Sequence, residues 1–449
     1  AALVSLALAA GLVLWRLEQA RTLVLPAWVD SVHHTLIVSK ILEGGGLPAT
    51  LAPQLNIDFT YHYGFHAVTA LFARLSGLAP ADAVLWFGQL INAAVALSLY
   101  RLAYALWGDW RRALLAFLLT GFALQMPAYY LAWGRYTLLT GLVLLPLAMS
   151  AGVESSRSTG RFEAVLRLAI LTAGVALCHY TALLLEGFFF ALLLAGVIIV
   201  RIAARVKGRK KRPKPAAQPG DEAIPVPAPM EIEALAPPET SPAPSSEMAV
   251  AVPAITPAPL PNFWRPALGA LAGIALVLPW LLRAWEQYSS QAGLRIVPPS
   301  DTSQLDYLRY IGYLLGPRFN QILLIAAAVG LLLALLQRRS RLLAVFGLLL
   351  GLLTLPWGLR LGPFRPDHMA ILLFLPAAPL LANLLVEIID LAGHIRWGIP
   401  RTALLTVLVT AAAALIVYGG VKTRDVLNNE TVLVDASDIQ ALDWIRANT

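Results

Sequence analysis

The 449-residue sequence has few charged residues and almost no cysteine, and both shortages narrow the class of protein. Only 13% of the residues are charged and 58% are hydrophobic, which indicates a polytopic membrane protein rather than a soluble domain. The single cysteine, Cys178, excludes an intramolecular disulfide framework and argues against a thiolate zinc site. The sequence contains no Gly-rich phosphate loop after a strand and no serine elbow of hydrolases, so no nucleotide cofactor is expected.

The hydrophobic segments predict an all-α protein with about eleven transmembrane helices, at roughly 20 apolar residues per span. Residues 31–44 and 61–77 are apolar but short and carry polar faces. We therefore predict that they are interfacial helices within a first external loop, residues 20–81. The predicted spans are residues 1–19, 82–106, 112–131, 136–153, 163–179, 181–203, 264–284, 319–337, 341–357, 368–390 and 402–420.

Basic residues set the expected orientation of these spans. The net charge is +8, and most of the Lys and Arg excess lies in short loops such as Arg111-Arg112 and Arg338-Arg339. If the first loop is external, all these basic loops lie on the opposite side of the membrane. The positive-inside rule then identifies that side as the cytoplasmic one. The excess therefore orients helices and gives no reason to expect a nucleic-acid partner. We expect an integral protein of a bacterial or archaeal cytoplasmic membrane, with membrane lipids around it and its site facing outward.

The composition also divides the chain into parts. A tract rich in Pro and Ala predicts a disordered cytoplasmic linker between two transmembrane parts. The polar residues after the last span end in Leu442-Asp443-Trp444, which resembles the first helix of an external domain that is missing from this chain. The chain begins at Ala1 without a charged n-region, so its first segment is expected to be trimmed or the start of a fragment. The predicted parts are 1–205, the linker 206–262, 263–420 with an external loop 285–318, and 421–449.

Polar and charged residues concentrate at the outer ends of the predicted helices. On the predicted topology the external side holds Asp30, His33, His34, Asp58, His62, Arg135, His179, Arg360, Arg365, Asp367 and His368. Arginines in short outer loops run against the positive-inside rule, so Arg135, Arg360 and Arg365 need another reason to be there. Guanidinium groups match phosphate oxygens bidentately, which makes a bound phosphate the natural reason. Because nucleotides are not supplied outside the cell, the expected phosphate is the head of a lipid.

The order of these features resembles the GT-C superfamily of membrane glycosyltransferases, which use sugars linked to polyprenyl phosphate. In that family an acidic residue follows the first helix, interfacial helices come next, and an aromatic segment precedes the second span. Here Asp30, the helix 31–44 with Gly44-Gly45-Gly46-Leu47-Pro48, and the run Tyr61-His62-Tyr63-Gly64-Phe65-His66 occupy those places. The terminal Ala441-Leu442-Asp443-Trp444-Ile445 resembles the entry to the family's external domain. In place of the family's acidic pair this sequence has Asp30 with His33 and His34.

The resemblance implies an enzyme that moves a sugar from a polyprenyl-phosphate lipid to a saccharide, lipid or protein acceptor by inverting displacement. Asp30 would be the catalytic base, and the arginines, with or without a divalent cation such as Mg²⁺ or Mn²⁺, would stabilise the departing phosphate. His33, His34, Asp58, His62, His179, Asp367 and His368 would complete the substrate site. Asp30, Asp58 and His62 are candidate ligands for a metal.

Several of these residues have simpler interpretations that the sequence leaves open. Asp30 and Asp367 can each be helix caps. His33 and His34 point about 100° apart on a helix, so they cannot both face one site. His62 and His66 are four residues apart, a spacing that suits a metal on one helical face. Asp58 can simply end a loop, and Arg135 and Arg365 can snorkel to lipid headgroups.

Two other functions also remain open. A transporter or flippase of lipid-linked saccharides or other anionic lipids would use the same arginines, together with polar groups along a path through the membrane. Glu186, deep in an apolar run, marks such a site or a pair with a neighbouring helix. A membrane-anchored scaffold for the missing external domain is the third hypothesis, but it does not explain the arginines and carboxylates on the outer side.

Overall fold

The computed structural model describes residues 2–157, 162–210, 261–289, 304–355, 365–394 and 398–449. Within these ranges the chain is helical, and its one extended pairing is an isolated bridge between Thr50 and Asp58. Residues 1–198 and 261–449 belong to one compact unit. Of a second unit, residues 199–260, the structure describes only residues 199–210, so most of the predicted linker 206–262 lies outside the described residues.

In chain order the described α-helices are α1 (Ala2–Gln19), α2 (Val29–Gly44), α3 (Gly64–Ser76), α4 (Pro80–Trp107), α5 (Trp110–Leu118), α6 (Tyr130–Trp133), α7 (Tyr136–Ser156), α8 (Phe162–Cys178), α9 (Tyr180–Lys210), α10 (Trp264–Ser289), α11 (Gln304–Leu314), α12 (Arg318–Leu336), α13 (Arg341–Leu352), α14 (Pro366–Leu372), α15 (Phe374–Gly393), α16 (Gly398–Lys422) and α17 (Ala436–Asn448). A π-helical turn, Leu119–Ala123, follows α5, and a 3₁₀ turn, Asn429–Thr431, precedes α17.

The all-α membrane architecture is confirmed, but the count of eleven spans is not. By length and composition, seven described helical segments can cross a membrane: Pro80–Trp107, Tyr136–Ser156, Tyr180–Val206, Trp264–Glu286, Arg318–Leu336, Pro366–Gly393 and Arg401–Lys422. Helix α8 has 17 residues, the lower limit for a span, and α13 has 12, fewer than a span needs at 1.5 Å per residue.

The predicted span 112–131 is interrupted in the structure. Helix α5 passes into the π-helical turn at Leu119, and the chain then runs through Pro127 to the single turn of α6. Pro127 has no backbone N–H to donate, so a regular helix cannot continue through it. The buried guanidinium of Arg16 donates to the Gly121 carbonyl at 2.7 Å and holds the turn against α1. Hydropathy is insensitive to such a break because most side chains along it are apolar.

The inner helices of the bundle can be told from the outer ones by their burial. The most apolar windows of α14–α15 and α7 are 83% and 78% buried, whereas those of α10 and α16 are 17% and 11% buried. The exposed faces of these last two helices are apolar, as expected where a helix contacts lipid. Helices α4, α7 and α15 therefore form the centre of the fold, and the large hydrophobic core is built on them.

Local signals in the sequence fix the ends of the helices that carry the site. Helix α4 starts with Pro80 at its first position and has Asp82 in its first turn, both favourable at an N-terminus. Helices α2, α3 and α4 each end at a left-handed glycine, Gly45, Gly77 and Gly108. The short helices predicted at 31–44 and 61–77 are therefore present as α2 and α3, which pack against each other and against α4.

Candidate active site

Asp30 lies in the first turn of α2. The helix starts at Val29, one residue after Trp28, which has the left-handed φ of 69°. Asp30 is therefore inside the helix, and no side chain caps this end, so the capping interpretation of Asp30 is wrong. Partial burial raises the pKa of the Asp30 carboxyl, and the positive charges of Arg135 and His33 oppose that rise. A carboxylate here also faces the positive end of the α2 dipole.

Arg135 lies in the turn between α6 and α7, and this turn packs closely against the start of α2. Gly134 ends α6 with a left-handed φ of 56°, and a Cβ at this position would collide with the Ser31 side chain and the Ala27 carbonyl. The Arg135 guanidinium lies 5.3 Å from the centre of the Trp133 ring. It forms no ion pair with any residue that the structure describes. A half-buried arginine in this state is available for an anionic ligand.

The charge of Arg135 acts on groups from four other segments of the chain. These groups are Asp30 on α2, His179 between α8 and α9, His368 on α14 and Tyr310 on α11. The segments are distant in sequence, so only the fold brings them together. The charge of a guanidinium that has no ion pair among the described residues thus acts on four segments, three of which hold predicted site residues.

A cluster of buried rings joins α2 and α3. Nδ1 of His34 and Nε2 of His66 are 2.9 Å apart and share a hydrogen bond. One of these two nitrogens must accept, so the two histidines cannot both be imidazolium ions. Burial lowers the pKa of His34 to about 3 and that of His66 well below its usual value. These two rings are therefore neutral at physiological pH.

His62 extends the ring cluster towards α9. Its ring lies tilted against that of Tyr61, with the ring centres 3.8 Å apart, and 4.7 Å from the ring of His179. Burial lowers the pKa of His62 to about 3. Because α3 starts at Gly64, His62 precedes the helix, and the predicted pairing of His62 and His66 on one helical face is wrong.

The segment that enters α14 supplies a second arginine. Arg365 donates from its Nη2 to Asp367 at 2.9 Å, and Asp367 lies in the first turn of α14. The charges of both residues act on Tyr310 and on His368. Arg365, Asp367 and His368 therefore share the region of Arg135. Arg360 lies outside the described residues.

Two predicted residues are exposed, although the charge of His33 still acts on Asp30 and His34. His33 is exposed on α2, whereas its neighbour His34 is buried, in agreement with the wide angle between adjacent residues of a helix. Asp58 is exposed, and its backbone pairs with Thr50 in the loop between α2 and α3. The roles of these two residues stay predictions.

The candidate metal ligands do not form a metal site in the described part of the chain. No group of three or more His, Cys, Asp or Glu side chains there is arranged to hold a metal ion. Mg²⁺ and Mn²⁺ prefer oxygen ligands, but the ring cluster offers imidazoles, and His34 and His66 use one nitrogen each on the other. Asp30, Asp58 and His62 are therefore not gathered into a metal site among the described residues, and a metal requirement stays a prediction.

The sequence analysis did not single out several residues that shape the site. Tyr136 packs parallel to Phe65 at 5.5 Å, and the Tyr61 hydroxyl lies 3.4 Å from that of Thr137. Tyr310 enters from α11. The Trp133-Gly134-Arg135 run was a usable signal for Gly134, because glycine before an outward arginine allows a left-handed turn. The tyrosines had no comparable signal in the sequence, since aromatic residues are common at the helix ends of membrane proteins.

Glu186 has a partner on a neighbouring helix. Its buried carboxyl accepts a hydrogen bond from the Thr172 hydroxyl, which joins α9 to α8. The sequence analysis left a functional site and a pair between helices open, and the structure contains the pair.

The architecture is similar to that of solved membrane glycosyltransferases. The oligosaccharyltransferase of Archaeoglobus fulgidus, in complex with Zn and sulfate, matches 98% of this chain at 12% identity and a TM-score of 0.56. AglB from the same organism, in complex with an inhibitory peptide and a dolichol-phosphate, matches 99% at 10% identity and a TM-score of 0.53. ArnT from Cupriavidus metallidurans, bound to undecaprenyl phosphate, matches 95% at 12% identity and a TM-score of 0.52. The chain has the GT-C fold.

The GT-C likeness is one of fold, because the identities are low. The chain spans 55% of the oligosaccharyltransferase complexed with Zn, 58% of the AglB complex and 75% of the ArnT chain. In sequence, residues 1–220 match a family of unknown function, DUF6541. No curated protein matches the sequence.

Proposed function

We propose that this chain is the membrane part of a glycosyltransferase that moves a sugar from a polyprenyl-phosphate lipid to an acceptor on the extracytoplasmic face. The observation that carries the proposal is the unpaired Arg135 guanidinium, whose charge acts on Asp30, His179 and His368. Two proteins of the same fold have been solved with dolichol-phosphate and with undecaprenyl phosphate, which supports a lipid phosphate as the ligand.

The phosphate of the donor lipid binds Arg135 in this proposal. A guanidinium can donate two parallel hydrogen bonds to phosphate oxygens, and Arg135 has no competing ion pair among the described residues. Arg365 contributes from the start of α14, where Asp367 already orients its guanidinium. We assign Arg360 to the same role from its place in the sequence. These cations stabilise the negative charge that grows on the phosphate as the sugar leaves.

Asp30 acts as the general base. The oxygen of an acceptor hydroxyl attacks the anomeric carbon, the bond from that carbon to the phosphate oxygen breaks, and Asp30 takes the hydroxyl proton. The products are the glycosylated acceptor, the polyprenyl phosphate and a protonated Asp30 carboxyl. The raised pKa of Asp30 makes it a stronger base than an exposed carboxylate. Inversion at the anomeric carbon follows from the family resemblance.

The described side chains favour stabilisation of the departing phosphate by arginine over stabilisation by a metal ion. The described residues offer no set of oxygen ligands for Mg²⁺ or Mn²⁺, while Arg135 already supplies a positive charge near Asp30. We therefore expect transfer to persist when divalent cations are removed with EDTA. A rate that collapses in EDTA and recovers with Mg²⁺ or Mn²⁺ would favour a cation held with the help of other residues.

The decisive test of the proposal is turnover of a polyprenyl-phosphate sugar by purified protein in vesicles with the native membrane extract as acceptor source. Asp30→Asn keeps the shape of the side chain but removes the base, so we expect at least about a hundredfold loss of rate. Asp443→Asn, an equal change on the exposed helix α17, is the matched control and should retain the rate. Full transfer by Asp30→Asn with normal donor binding would contradict the role of Asp30.

The role of Arg135 is tested by lipid binding without turnover. Arg135→Gln removes the charge while keeping a polar side chain, and the loss of charged hydrogen bonds should weaken undecaprenyl-phosphate binding by about ten- to a hundredfold. Arg339→Gln, an exposed arginine between α12 and α13, is the control. Equal affinity in Arg135→Gln and the unmodified chain would show that the phosphate binds elsewhere.

A further inference from the structure

A second feature of the outer region is a cavity of about 550 Å³. Its walls come from the segment before α6, from the α11–α12 junction and from the residues that follow α16. The volume lies within the ~300–1,000 Å³ that small-molecule sites usually have. Neither Asp30 nor Arg135 lines it, so the cavity is distinct from the phosphate site described above.

The polar groups of the cavity both donate and accept hydrogen bonds. The hydroxyls of Tyr129 and Tyr313 lie within hydrogen-bond distance of each other, 3.3 Å apart, and the Tyr129 hydroxyl also interacts with the Asn428 side chain. Gln125 lines the cavity with a buried Oε1 that has no hydrogen-bond partner. This oxygen packs inside the wall, against Gly316, so the exposed hydroxyls of Tyr129 and Tyr313 are the groups that a ligand would meet first.

The backbone makes room for Gln125. Gly316 has a left-handed φ of 84°, and a side chain at this position would collide with the Gln125 amide. Gln125 is held from the other side because its backbone N–H donates to the Asn320 Oδ1 at 3.0 Å. This hydrogen bond holds the Gln125 backbone, while the side-chain amide oxygen packs against Gly316 without a hydrogen-bond partner.

The charges of the cavity do not favour a phosphate. Its lining has two carboxylates, Asp425 and Glu430, and one ammonium, Lys422. Asp425 is paired with Arg21 at 3.5 Å, so the remaining Glu430 and Lys422 give the lining no excess positive charge for an anion, whereas Arg135 has no ion pair among the described residues. Aromatic rings, amides and carboxylates suit a neutral ligand with many hydroxyls, since rings cover the apolar faces of a sugar while the polar groups bind its hydroxyls.

The cavity adjoins the phosphate site through two contacts. Tyr129 packs edge-on against Trp133 with ring centres 4.8 Å apart, and Trp133 carries the Arg135 guanidinium on its ring. On α11, Tyr313 lines the cavity, while Tyr310, one turn away, lies within reach of the charge of Arg135. Trp133 therefore lies between the cavity wall at Tyr129 and the guanidinium that would hold a lipid phosphate.

We propose that this cavity binds the acceptor and that the acceptor is a saccharide. The inference rests on the proposed function, because it assigns the second substrate of the same reaction. The saccharide presents the hydroxyl that attacks the donor sugar, and Asp30 receives the proton. Gln125, Tyr129 and Tyr313 are the residues that select it.

The experiment is binding of a panel of disaccharides to the full chain in lipid nanodiscs, followed by saturation-transfer NMR. The panel contains mannobiose, chitobiose, arabinobiose and rhamnobiose at millimolar concentration, with a hexapeptide as the rival acceptor. We expect at least one disaccharide to bind and Gln125→Ala or Tyr313→Ala to weaken it by about tenfold or more. Tyr104→Phe, at an exposed tyrosine of α4, is the control and should bind as the unmodified chain does.

The outcomes separate the acceptor proposal from the donor proposal. Arg135→Gln should lose undecaprenyl phosphate but keep the disaccharide, and Gln125→Ala should do the reverse. If no disaccharide binds while undecaprenyl phosphate does, the saccharide assignment is overturned and the proposed function stands. If the hexapeptide binds with the same dependence on Gln125, the acceptor is a peptide. Loss of undecaprenyl phosphate in Gln125→Ala would show that the cavity belongs to the donor.

Discussion

Asp30 and Arg135 determine how the proposed site responds to pH. Burial raises the pKa of Asp30, and the charge of Arg135 is the largest effect that lowers it again. Removing that charge in Arg135→Gln should raise the pKa of Asp30 further. Because the base must be ionised to accept a proton, the acid limb of kcat/KM should then move to higher pH.

The measurement is the pH profile of kcat/KM for the unmodified chain, Arg135→Gln and Arg135→Lys. Arg135→Lys keeps the positive charge, so its acid limb should stay close to that of the unmodified chain even if its rate falls. A profile that does not move in Arg135→Gln would mean that the group responsible for the acid limb is not Asp30.

The buried histidines predict how stability depends on pH. In the unfolded chain histidine titrates near 6.5, whereas burial holds the pKa of His62 at about 3 in the fold. Above pH 6.5 the ring is neutral in both the folded and the unfolded chain. As the pH falls from 6.5 towards 3, the unfolded chain binds a proton at His62 and the folded chain does not, so the fold loses stability. The loss amounts to about 1.4 kcal/mol per pH unit for such a group. The melting temperature in detergent should therefore fall as the pH is lowered below 6.5.

His62→Phe tests the assignment because it keeps a ring between Tyr61 and His179 but cannot be protonated. The variant should lose less melting temperature between pH 6.5 and pH 4 than the unmodified chain does. His33→Phe, at an exposed histidine, is the control. It shows how far the pH dependence of the melting temperature changes when a histidine that is not buried is removed. An unchanged dependence in His62→Phe would indicate that other groups drive the acid unfolding.

At the scale of helices and turns, the Gly134 turn holds the arginine against α2. A side chain at Gly134 would need a left-handed φ and would meet the Ser31 side chain and the Ala27 backbone. Gly134→Ala should therefore destabilise the fold by at least about 1–2 kcal/mol and separate Arg135 from Asp30. Thermal unfolding and undecaprenyl-phosphate affinity report these two effects separately.

The matched control is Gly44→Ala at the end of α2, where an added Cβ would have open space. This change should leave both lipid binding and stability close to those of the unmodified chain. If Gly134→Ala behaved like Gly44→Ala, the close approach of the turn to α2 would not matter for the site.

Sequence patterns predicted short elements well and breaks within apolar segments poorly. Helix α2 was predictable because Gly44-Gly45-Gly46 ends its apolar stretch, and Gly45 adopts the expected left-handed conformation. The interruption in the predicted span 112–131 was not, because its cause is backbone geometry around Leu119 and Pro127 rather than a change in hydropathy. The hydrogen bond between His34 and His66 could not be predicted either, because the two residues are 32 positions apart and lie on different helices.

For the whole molecule, the concentration of arginines and carboxylates at outer helix ends predicted a site made from distant segments. The GT-C fold is confirmed, and the charge of Arg135 acts on Asp30, His179 and His368 from distant segments, while their joint role as a site stays a prediction. The cavity beyond Trp133 could not be predicted, because Gln125, Tyr313 and Asn428 have ordinary surroundings in the sequence. Only the packing of α11 and the residues after α16 brings them together.

The orientation of the whole protein decides which substrates can reach the site. Cys178 is buried, and Cys178→Ser gives a background without thiols. Single cysteines at Gln54, in the exposed loop between α2 and α3, and at Arg339, between α12 and α13, then report the two sides. With a membrane-impermeant maleimide on intact cells, Gln54→Cys should label at once and Arg339→Cys only after lysis. The reverse pattern would place Asp30 and Arg135 on the cytoplasmic side. Soluble nucleotide sugars are available there as donors, so the argument for a lipid phosphate as the ligand of Arg135 would no longer hold.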